Sequence, residues 1–249
     1  MVFARIPEEA VMKTLDIEYH VDGARYVGYY AVDDGRLGPR PGVLIGPEGG
    51  GLVDLTKSIA RRLAAAGYAA FAMDYYGDGK PLGDMSAAMA RLGPWMAEPT
   101  GIRAIAAVAL NVLTDQAETD AGRLAAIGYC FGGTTALELG RSGANLKAIV
   151  GFHSGLGTAR PTDAANIMAK VLVCIGADDP IIPPEQRLAF EIEMNAGKVD
   201  WRMNLYGGAG HSFTNPGVGA MARAGFAYDA ATDRRSWAAM IDLFDETME

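Results

Sequence analysis

The sequence contains little of several residue types, and each scarcity excludes a class of protein. Only two cysteines, Cys130 and Cys174, occur in 249 residues, too few for a disulfide framework. Free thiols are typical of a reducing compartment, so we expect a cytoplasmic protein. The net charge of −8 argues against a nucleic-acid or anionic-membrane partner. The three histidines, His20, His153 and His211, and the cysteines show no metal-ligand spacing, so we expect no metal and no other cofactor.

Long apolar runs are also missing. No stretch approaches the roughly 20 residues that span a membrane, and residues 1–9 lack the apolar core of a signal peptide, so we expect no membrane partner. Half of the residues are hydrophobic (50%), which is enough for a sizeable core. Because no repeat, low-complexity tract or linker divides the chain, we predict one domain over residues 1–249, as a monomer or homodimer.

Strand-like and helix-like patterns alternate along the chain. Residues 14–19 and 25–32 alternate apolar and polar side chains around Asp22-Gly23, which predicts a β-hairpin at the start. Short, wholly apolar runs such as 43–45 and 171–175 are typical of buried parallel strands. Because helical segments separate these runs, we predict an α/β fold with a mostly parallel central sheet and helices on both faces.

The stretch Gly128-Tyr-Cys-Phe-Gly132 follows one apolar run and precedes a helical segment. This is the pattern of a nucleophile elbow, with Cys130 where serine usually stands. Glycines on both sides let the strand and helix backbones pass close together. The turn would place the thiol beside backbone N–H groups and a helix N-terminus. Taken alone, the motif fits a buried structural cysteine about equally well, since free cysteine is among the most buried residue types.

Further titratable residues follow other predicted strands, where ligands of open parallel sheets bind. Cys130, the pair Asp178-Asp179 and His211 occur in the order nucleophile, acid, histidine, which is the order of α/β-hydrolases. His211 would accept the thiol proton, and an aspartate would orient its imidazole. We favour Asp179 over Asp178, because Pro180 restricts the backbone directly after Asp179.

Two residues compete for these roles. His153 also follows a strand, but it precedes the aspartates, so we predict a pocket-lining or hydrogen-bonding role for it rather than that of the base. Ser154 lies in Gly151-Phe-His-Ser-Gly155, which misses the G-x-S-x-G spacing by one residue, so we do not predict it to be a nucleophile.

An acyl-transfer site also needs two donors for the oxyanion that develops. The backbone N–H of Phe131, directly after the cysteine, would be one, and the glycine-rich loop at Glu48-Gly49 would supply the other. Glu48 is unexpected there, because a carboxylate near the nucleophile opposes thiolate formation unless it moves or carries a proton. Apolar and aromatic residues predicted to line the site, which favour a small and partly apolar substrate, are Tyr76, Trp95, Phe131 and Phe213.

Together these motifs resemble those of the dienelactone hydrolase family. The resemblance implies an α/β-hydrolase fold, a triad of Cys130, Asp179 and His211, and a role for Glu48 in generating the thiolate when substrate is bound. It covers almost the whole chain and rests on the segments Gly46-Pro-Glu-Gly-Gly-Gly, Asp74-Tyr-Tyr-Gly, Gly128-Tyr-Cys-Phe-Gly-Gly, Phe152-His-Ser-Gly, Gly176-Ala-Asp-Asp-Pro-Ile-Ile-Pro and Gly210-His-Ser-Phe-Thr-Asn-Pro.

The sequence departs from this family at one point. Its dienelactone-active members carry an arginine shortly after the His-Ser-Phe motif, to hold a substrate carboxylate, whereas Thr214-Asn215-Pro216 stands here and Arg223 lies further along. Arg91 is a candidate for another carboxylate-binding position. We therefore expect a hydrolase of a small ester or lactone with an acyl-cysteine intermediate, without assigning dienelactone as its substrate. The alternatives are a non-catalytic binding or sensing protein and a peroxide-sensing thiol, although Cys174 is no obvious resolving partner.

Overall fold

The computed structural model describes residues 11–221 and 223–249, so the segment 1–9, from which we expect no signal peptide, lies outside the described part. Eight strands in that part form a single sheet. They are β1 (Met12–Val21), β2 (Ala24–Asp33), β3 (Arg40–Gly46), β4 (Ala69–Ala72), β5 (Thr119–Tyr129), β6 (Ala148–Phe152), β7 (Lys170–Gly176) and β8 (Trp201–Tyr206). Their order across the sheet is β1-β2-β4-β3-β5-β6-β7-β8.

The sheet is antiparallel at one edge and parallel elsewhere. β1 and β2 form the predicted hairpin, and its turn residues Asp22 and Gly23 both have positive φ, 48° and 80°, as a two-residue hairpin turn requires. β2 also runs antiparallel to β4, whereas all pairings from β4 to β8 are parallel. The N-terminal hairpin and the mostly parallel sheet are therefore confirmed.

Helices cover both faces of this sheet, as predicted. Ile105, Leu137 and Phe190, from three different helices, belong to one apolar cluster. Leu63 and Phe244, from two further helices, belong to a second cluster on the other face. The helices are α1 (Asp54–Ala65), α2 (Met85–Ala97), α3 (Thr100–Thr114), α4 (Phe131–Arg141), α5 (Pro184–Ala196) and α6 (Ala230–Met248), with short 3₁₀ segments at Pro161–Asn166 and Val218–Met221. This arrangement is the α/β-hydrolase fold.

The wholly apolar runs of the central strands follow from this burial on two faces. Along β3, Leu44 packs in the first cluster while Val43 and Ile45 pack in the second. Because successive side chains of a strand point to opposite faces, neither face leaves room for a polar residue. The parallel register also aligns the strand ends, since Gly46 pairs with Gly128 and Tyr129 with Phe152. The residues that follow these strands are thereby brought to the same edge of the sheet.

Helix α2 lies between β4 and α3 in the chain. It runs through Pro94, and the side chain of Asp84 caps its start by accepting a hydrogen bond from the Ser86 N–H at 2.9 Å. In the part of the chain described, no single helix is long and apolar enough to cross a membrane. The pair Ser86–Ala97 and Thr100–Thr114 meets that length and composition together, but the two helices are bent by 98°.

Candidate active site

Cys130 stands at the tip of a strained turn between β5 and α4. Its φ and ψ are 54° and −119°, in a region that residues with a side chain rarely adopt. The flanking glycines are required by close backbone contacts. A Cβ on Gly128 would lie 2.0 Å from the carbonyl carbon of Gly132, and a Cβ on Gly132 would lie 1.9 Å from the carbonyl oxygen of Gly46. The sequence therefore folds here into a tight elbow, which leaves the cysteine half-buried at the N-terminus of α4.

His211 and Asp179 form a buried pair at the same edge of the sheet. The Nδ1 of His211 lies 2.7 Å from Oδ2 of Asp179, and both side chains are almost fully buried. Asp179 Oδ1 accepts the N–H of Ile181 at 2.8 Å, and the N–H of His211 donates to the Gly225 carbonyl at 2.7 Å, so both residues are held in place. Asp178, its neighbour, is more exposed and does not share this contact.

The surroundings of His211 favour its charged form. Burial by itself lowers the pKa of His211, but hydrogen bonds to Asp179 and Cys130, together with the negative charge of both groups, raise it to about 9. The imidazolium is therefore the main form at neutral pH. With Nδ1 engaged by Asp179, the Nε2 atom is the one left to exchange a proton with the thiol or with a substrate.

The loop after β3 lies against the elbow, and its backbone is held by a turn. The N–H of Gly51 donates to the Glu48 carbonyl at 2.9 Å, which fixes the peptide between Glu48 and Gly49. In a trans peptide the N–H points opposite to the C=O, so the Gly49 N–H points away from this turn. Among the described residues, the N–H groups of Gly49 and Phe131 have no acceptor.

Aromatic and apolar side chains pack against Phe131 and Gly49, the residues that carry these two N–H groups. The Trp95 ring stacks on that of Phe131 with centroids 6.3 Å apart, and Leu92 lies so close to Gly49 that an added Cβ would sit 3.0 Å from it. The Tyr76 hydroxyl donates to the Gly49 carbonyl at 2.5 Å. Helix α2 and Tyr76 thus form an apolar wall beside the elbow, with Tyr76 and Trp95 half-buried.

Glu48 is the second carboxyl group of the site. Its Oε2 accepts a hydrogen bond from Asn215 Nδ2 at 3.1 Å, whereas Oε1 is buried with no partner among the described residues. Burial raises the pKa of Glu48, and the nearby His211 and Asn215 offset this only in part. A proton on Glu48 is therefore easier to retain than on a carboxyl group in water.

His153 and Phe213 lie behind the reactive groups and have no exposed surface. His153 Nε2 is 2.8 Å from Thr214 Oγ1, while its Nδ1 is buried with no partner in the ranges 11–221 and 223–249. Its ring meets those of His211 and Phe213 edge-on, at centroid distances of 5.0 and 5.2 Å. Burial and the neighbouring His211 hold the pKa of His153 well below its usual range, so this imidazole is neutral.

Arg91 is exposed on α2, on the Tyr76 side of the elbow. Burial raises the pKa of Tyr76 to about 12, and the positive charge of Arg91 partly offsets this rise.

Ser154 is buried beneath the elbow, where its Oγ lies 1.6 Å from the position that a Cβ on Gly133 would take. No group of three or more His, Cys, Asp or Glu residues in the described ranges is arranged to hold a metal ion.

Sequence reasoning overlooked Asn215, the hydrogen-bond partner of Glu48. Its residue type carries no signal for such a role, and 167 residues separate the two side chains in the chain. The one available hint is its position in the same short segment as His211. Leu92 and Thr214 were overlooked for the same reason, because their contacts depend on how the loops pack.

Comparison with known proteins places the chain in a family. The model of the dienelactone hydrolase family matches residues 27–248. The chain therefore belongs to the dienelactone hydrolase family, and it is a hydrolase of the ester and lactone class.

Individual relatives agree with this assignment. The solved structure of m3DLH superposes with a TM-score of 0.93 at 47% identity, over 96% of this chain and 99% of the other. The dienelactone hydrolase-like promiscuous phosphotriesterase P91 from metagenomic libraries superposes with a TM-score of 0.90 at 43% identity, over 95% and 98% of the two chains. The Yersinia pestis protein named "Putative carboxymethylenebutenolidase" is 28% identical over 244 residues, 90% of this chain and 85% of the relative.

Proposed function

We propose that this protein hydrolyses small esters or lactones through an acyl-cysteine intermediate on Cys130, with His211 as acid and base and Asp179 as its orienting carboxylate. One observation carries the proposal. The strained elbow of Cys130 lies beside the His211–Asp179 pair, in which Nδ1 and Oδ2 are 2.7 Å apart. A merely structural cysteine has no need of positive φ or of a charged histidine next to it.

The first half of the reaction forms the acyl-enzyme. The Cys130 thiolate attacks the carbonyl carbon, and the electron pair of the C=O moves onto oxygen, which the free N–H groups of Phe131 and Gly49 bind. When the tetrahedral adduct collapses, the bond to the leaving oxygen breaks. The imidazolium of His211 donates its Nε2 proton to that oxygen, so that an alcohol departs and the acyl group stays on sulfur.

The second half releases the acid. Neutral His211 removes a proton from water at Nε2, and the resulting hydroxide attacks the thioester carbonyl carbon. The C–S bond then breaks and the thiolate is restored beside the imidazolium. Asp179 keeps the Nδ1 proton in place throughout, so that Nε2 alone exchanges protons. For a lactone, the alcohol and the acid are two ends of one product.

Intact-protein mass spectrometry after rapid mixing with 4-nitrophenyl acetate tests this proposal. We expect a gain of one acetyl group that maps to the peptide containing Cys130 and decays as product forms. The Cys130→Ala variant should show neither the adduct nor turnover, whereas Cys174→Ala, which changes a fully buried thiol on the same sheet, should show both. Turnover by Cys130→Ala equal to that of the unmodified protein would overturn the mechanism. An adduct that never decays would favour the binding or sensing alternative.

We further propose a side activity on aryl phosphotriesters, which the 43% identity to a promiscuous phosphotriesterase favours. The thiolate would attack phosphorus and displace the aryloxide, and the donors of the oxyanion site would bind the phosphoryl oxygen. Release of 4-nitrophenol from diethyl 4-nitrophenyl phosphate measures it. The Cys130→Ala variant should abolish this release together with that from the acetyl ester, and release that persists would contradict the shared site.

A further inference from the structure

Asn215 is held so that its amide group points at Glu48. The Gly217 N–H donates to Asn215 Oδ1 at 2.9 Å, which leaves the NH₂ group to face Glu48 Oε2 at 3.1 Å. The backbone is fixed as well, since Asn215 N–H donates to the Ser212 carbonyl at 2.9 Å and Val218 N–H donates to the Asn215 carbonyl at 3.1 Å. Both the orientation of the amide and the position of the residue are therefore determined before any substrate arrives.

The partner of Glu48 is thus a neutral donor and not a cation. The titratable groups that interact with Glu48 are His211, from the loop after β8, and Tyr129, at the end of β5. Among the described residues, Oε1 of Glu48 has no hydrogen-bond partner. A buried carboxyl oxygen in that position needs a proton or a donor. A second negative charge close to it would be repelled, because the nearby imidazolium of His211 is already paired with Asp179.

We propose that Asn215 is a positioning residue that holds Glu48 at the active site, close to His211, and that this amide–carboxyl pair makes the site select uncharged esters over esters carrying a carboxylate. The inference rests on the proposed function, since it concerns the substrate of the same site. An uncharged ester meets Glu48 with no electrostatic penalty. An ester with a carboxylate would meet the carboxyl group of Glu48, whose charge the neutral amide of Asn215 cannot neutralise.

Two matched substrates measure this selectivity: methyl 4-acetoxybenzoate, which is uncharged, and 4-acetoxybenzoate, which carries a carboxylate far from the acetyl group. We expect kcat/KM of the unmodified protein to favour the uncharged ester at least about tenfold. Asn215→Arg places a cation beside Glu48 and should reduce this ratio at least about tenfold, through a lower KM for the anion. Asn215→Asp, which keeps the side-chain size, should increase the ratio.

The second measurement is a double-mutant cycle with Glu48→Gln. If Asn215 acts through Glu48, Asn215→Ala should change kcat/KM for the uncharged ester much less in the Glu48→Gln background than in the unmodified protein. Asn111→Ala, which changes an exposed asparagine on α3, should leave both substrates unaffected. Circular dichroism of each variant confirms folding, and a pH profile of kcat/KM follows the protonation of Glu48 and His211 together.

The outcomes separate the two proposals. A protein that acetylates on Cys130 but shows the same substrate ratio in Asn215→Arg overturns this inference and leaves the proposed function intact. A ratio that responds to Arg91→Ala and not to Asn215→Arg overturns it as well, because the exposed arginine would then control selectivity. Failure to acetylate Cys130 at all would instead refute the proposed function.

Discussion

The buried polar groups around Arg141 and those around Glu48 differ in how completely they are paired. Each nitrogen of the Arg141 guanidinium donates a hydrogen bond: Nε and Nη2 to Glu193 at 2.7 and 2.9 Å, Nη1 to Glu138 at 3.0 Å, and Nη2 also to the Leu156 carbonyl at 2.9 Å. At the active site, by contrast, Oε1 of Glu48 has no partner in the part of the chain that the structure describes.

The difference separates groups that join helices from groups that react. Arg141 connects α4 with α5, and its full set of partners compensates the cost of burying the charge. At the elbow, Cys130 has a strained backbone, and Glu48 and His153 each keep one buried atom without a partner among the described residues. Such deviations lower stability. Unpaired buried atoms also occur at the opposite ends of β3 and β5, in Arg40 and Thr119, so the elbow is distinguished by the combination of backbone strain with unpaired atoms. We therefore expect changes near Arg141 to affect stability and changes near Cys130 to affect activity.

The largest expected effect is that of Cys130→Ala. Loss of the attacking sulfur should lower kcat/KM for 4-nitrophenyl acetate at least about 10³-fold, as removal of the nucleophile does in comparable hydrolases. The unfolding free energy should change by less than about 1 kcal/mol, because the side chain is small and only half-buried. Steady-state kinetics and urea unfolding test both parts. A large loss of stability with retained activity would contradict the expectation that changes near Cys130 affect activity and not stability.

Arg141→Met should lower the stability of the protein and leave its activity nearly unchanged. It leaves the carboxyl group of Glu193 without its buried partner, while Glu138 keeps its ion pair with Arg103, so we expect a loss of about 3–5 kcal/mol in unfolding free energy. The kcat/KM of the molecules that remain folded should stay within about threefold of the original. Combining it with Glu193→Leu should recover part of the stability, because an apolar pair replaces an unpaired charge. No recovery would mean that packing, and not charge, makes Arg141 important.

Thr214→Val should have a smaller effect, a loss of stability next to the active site. It removes the hydroxyl that partners Nε2 of His153, so neither ring nitrogen would have a partner. We expect a loss of about 1–3 kcal/mol in unfolding free energy. Thr114→Val, which removes an exposed hydroxyl, is the matched control and should cost far less. Equal losses in both variants would show that the His153 contact contributes nothing.

The smallest expected effect is a shift in pH dependence. Because Asp179 helps raise the pKa of His211 to about 9, the imidazolium persists into alkaline solution, and kcat/KM should decline only as the pH rises through that value. Asp179→Asn removes the carboxylate, so burial lowers the pKa of His211 and the decline should move to lower pH by at least about one unit. Asp178→Asn should leave the decline in place. A shift in that variant instead would assign the acid to Asp178.

The sequence predicted the fold well because its signals are local. Wholly apolar runs marked the strands that are buried on both faces, and Asp22-Gly23 marked the hairpin turn. The first residues of β5 show no apolar run, since Asp120 and Arg123 are charged and only Ala121 and Gly122 lie between them. The register shift between Pro41 and Gly42 shows why, because Asp120 pairs with Pro41 and the next paired residue of β5 is Leu124. A polar segment beside such an irregularity has no alternating pattern to recognise.

At the candidate site, the sequence indicates the residue types and their order along the chain, but it does not indicate the contacts between them. Cys130, Asp179 and His211 each follow a strand, and parallel strands bring such residues to one edge. The burial of His153 and the exposure of Arg91 depend on how the loops and α2 pack against the sheet, which the sequence pattern does not specify. The Glu48–Asn215 hydrogen bond joins two loops 167 residues apart, so it exists only after both have packed.

The sequence by itself determined the class of this protein, because glycine spacing, apolar runs and residue order act over a few residues. The elbow at Gly128 to Gly132 is an example, since its glycines are demanded by the turn itself and by the neighbouring β3 backbone. Only the tertiary structure decided which buried atoms are paired and which remain open. The pairing depends on distances between segments remote in the chain. It separates the fully paired Arg141 from Glu48, whose Oε1 has no partner among the residues described.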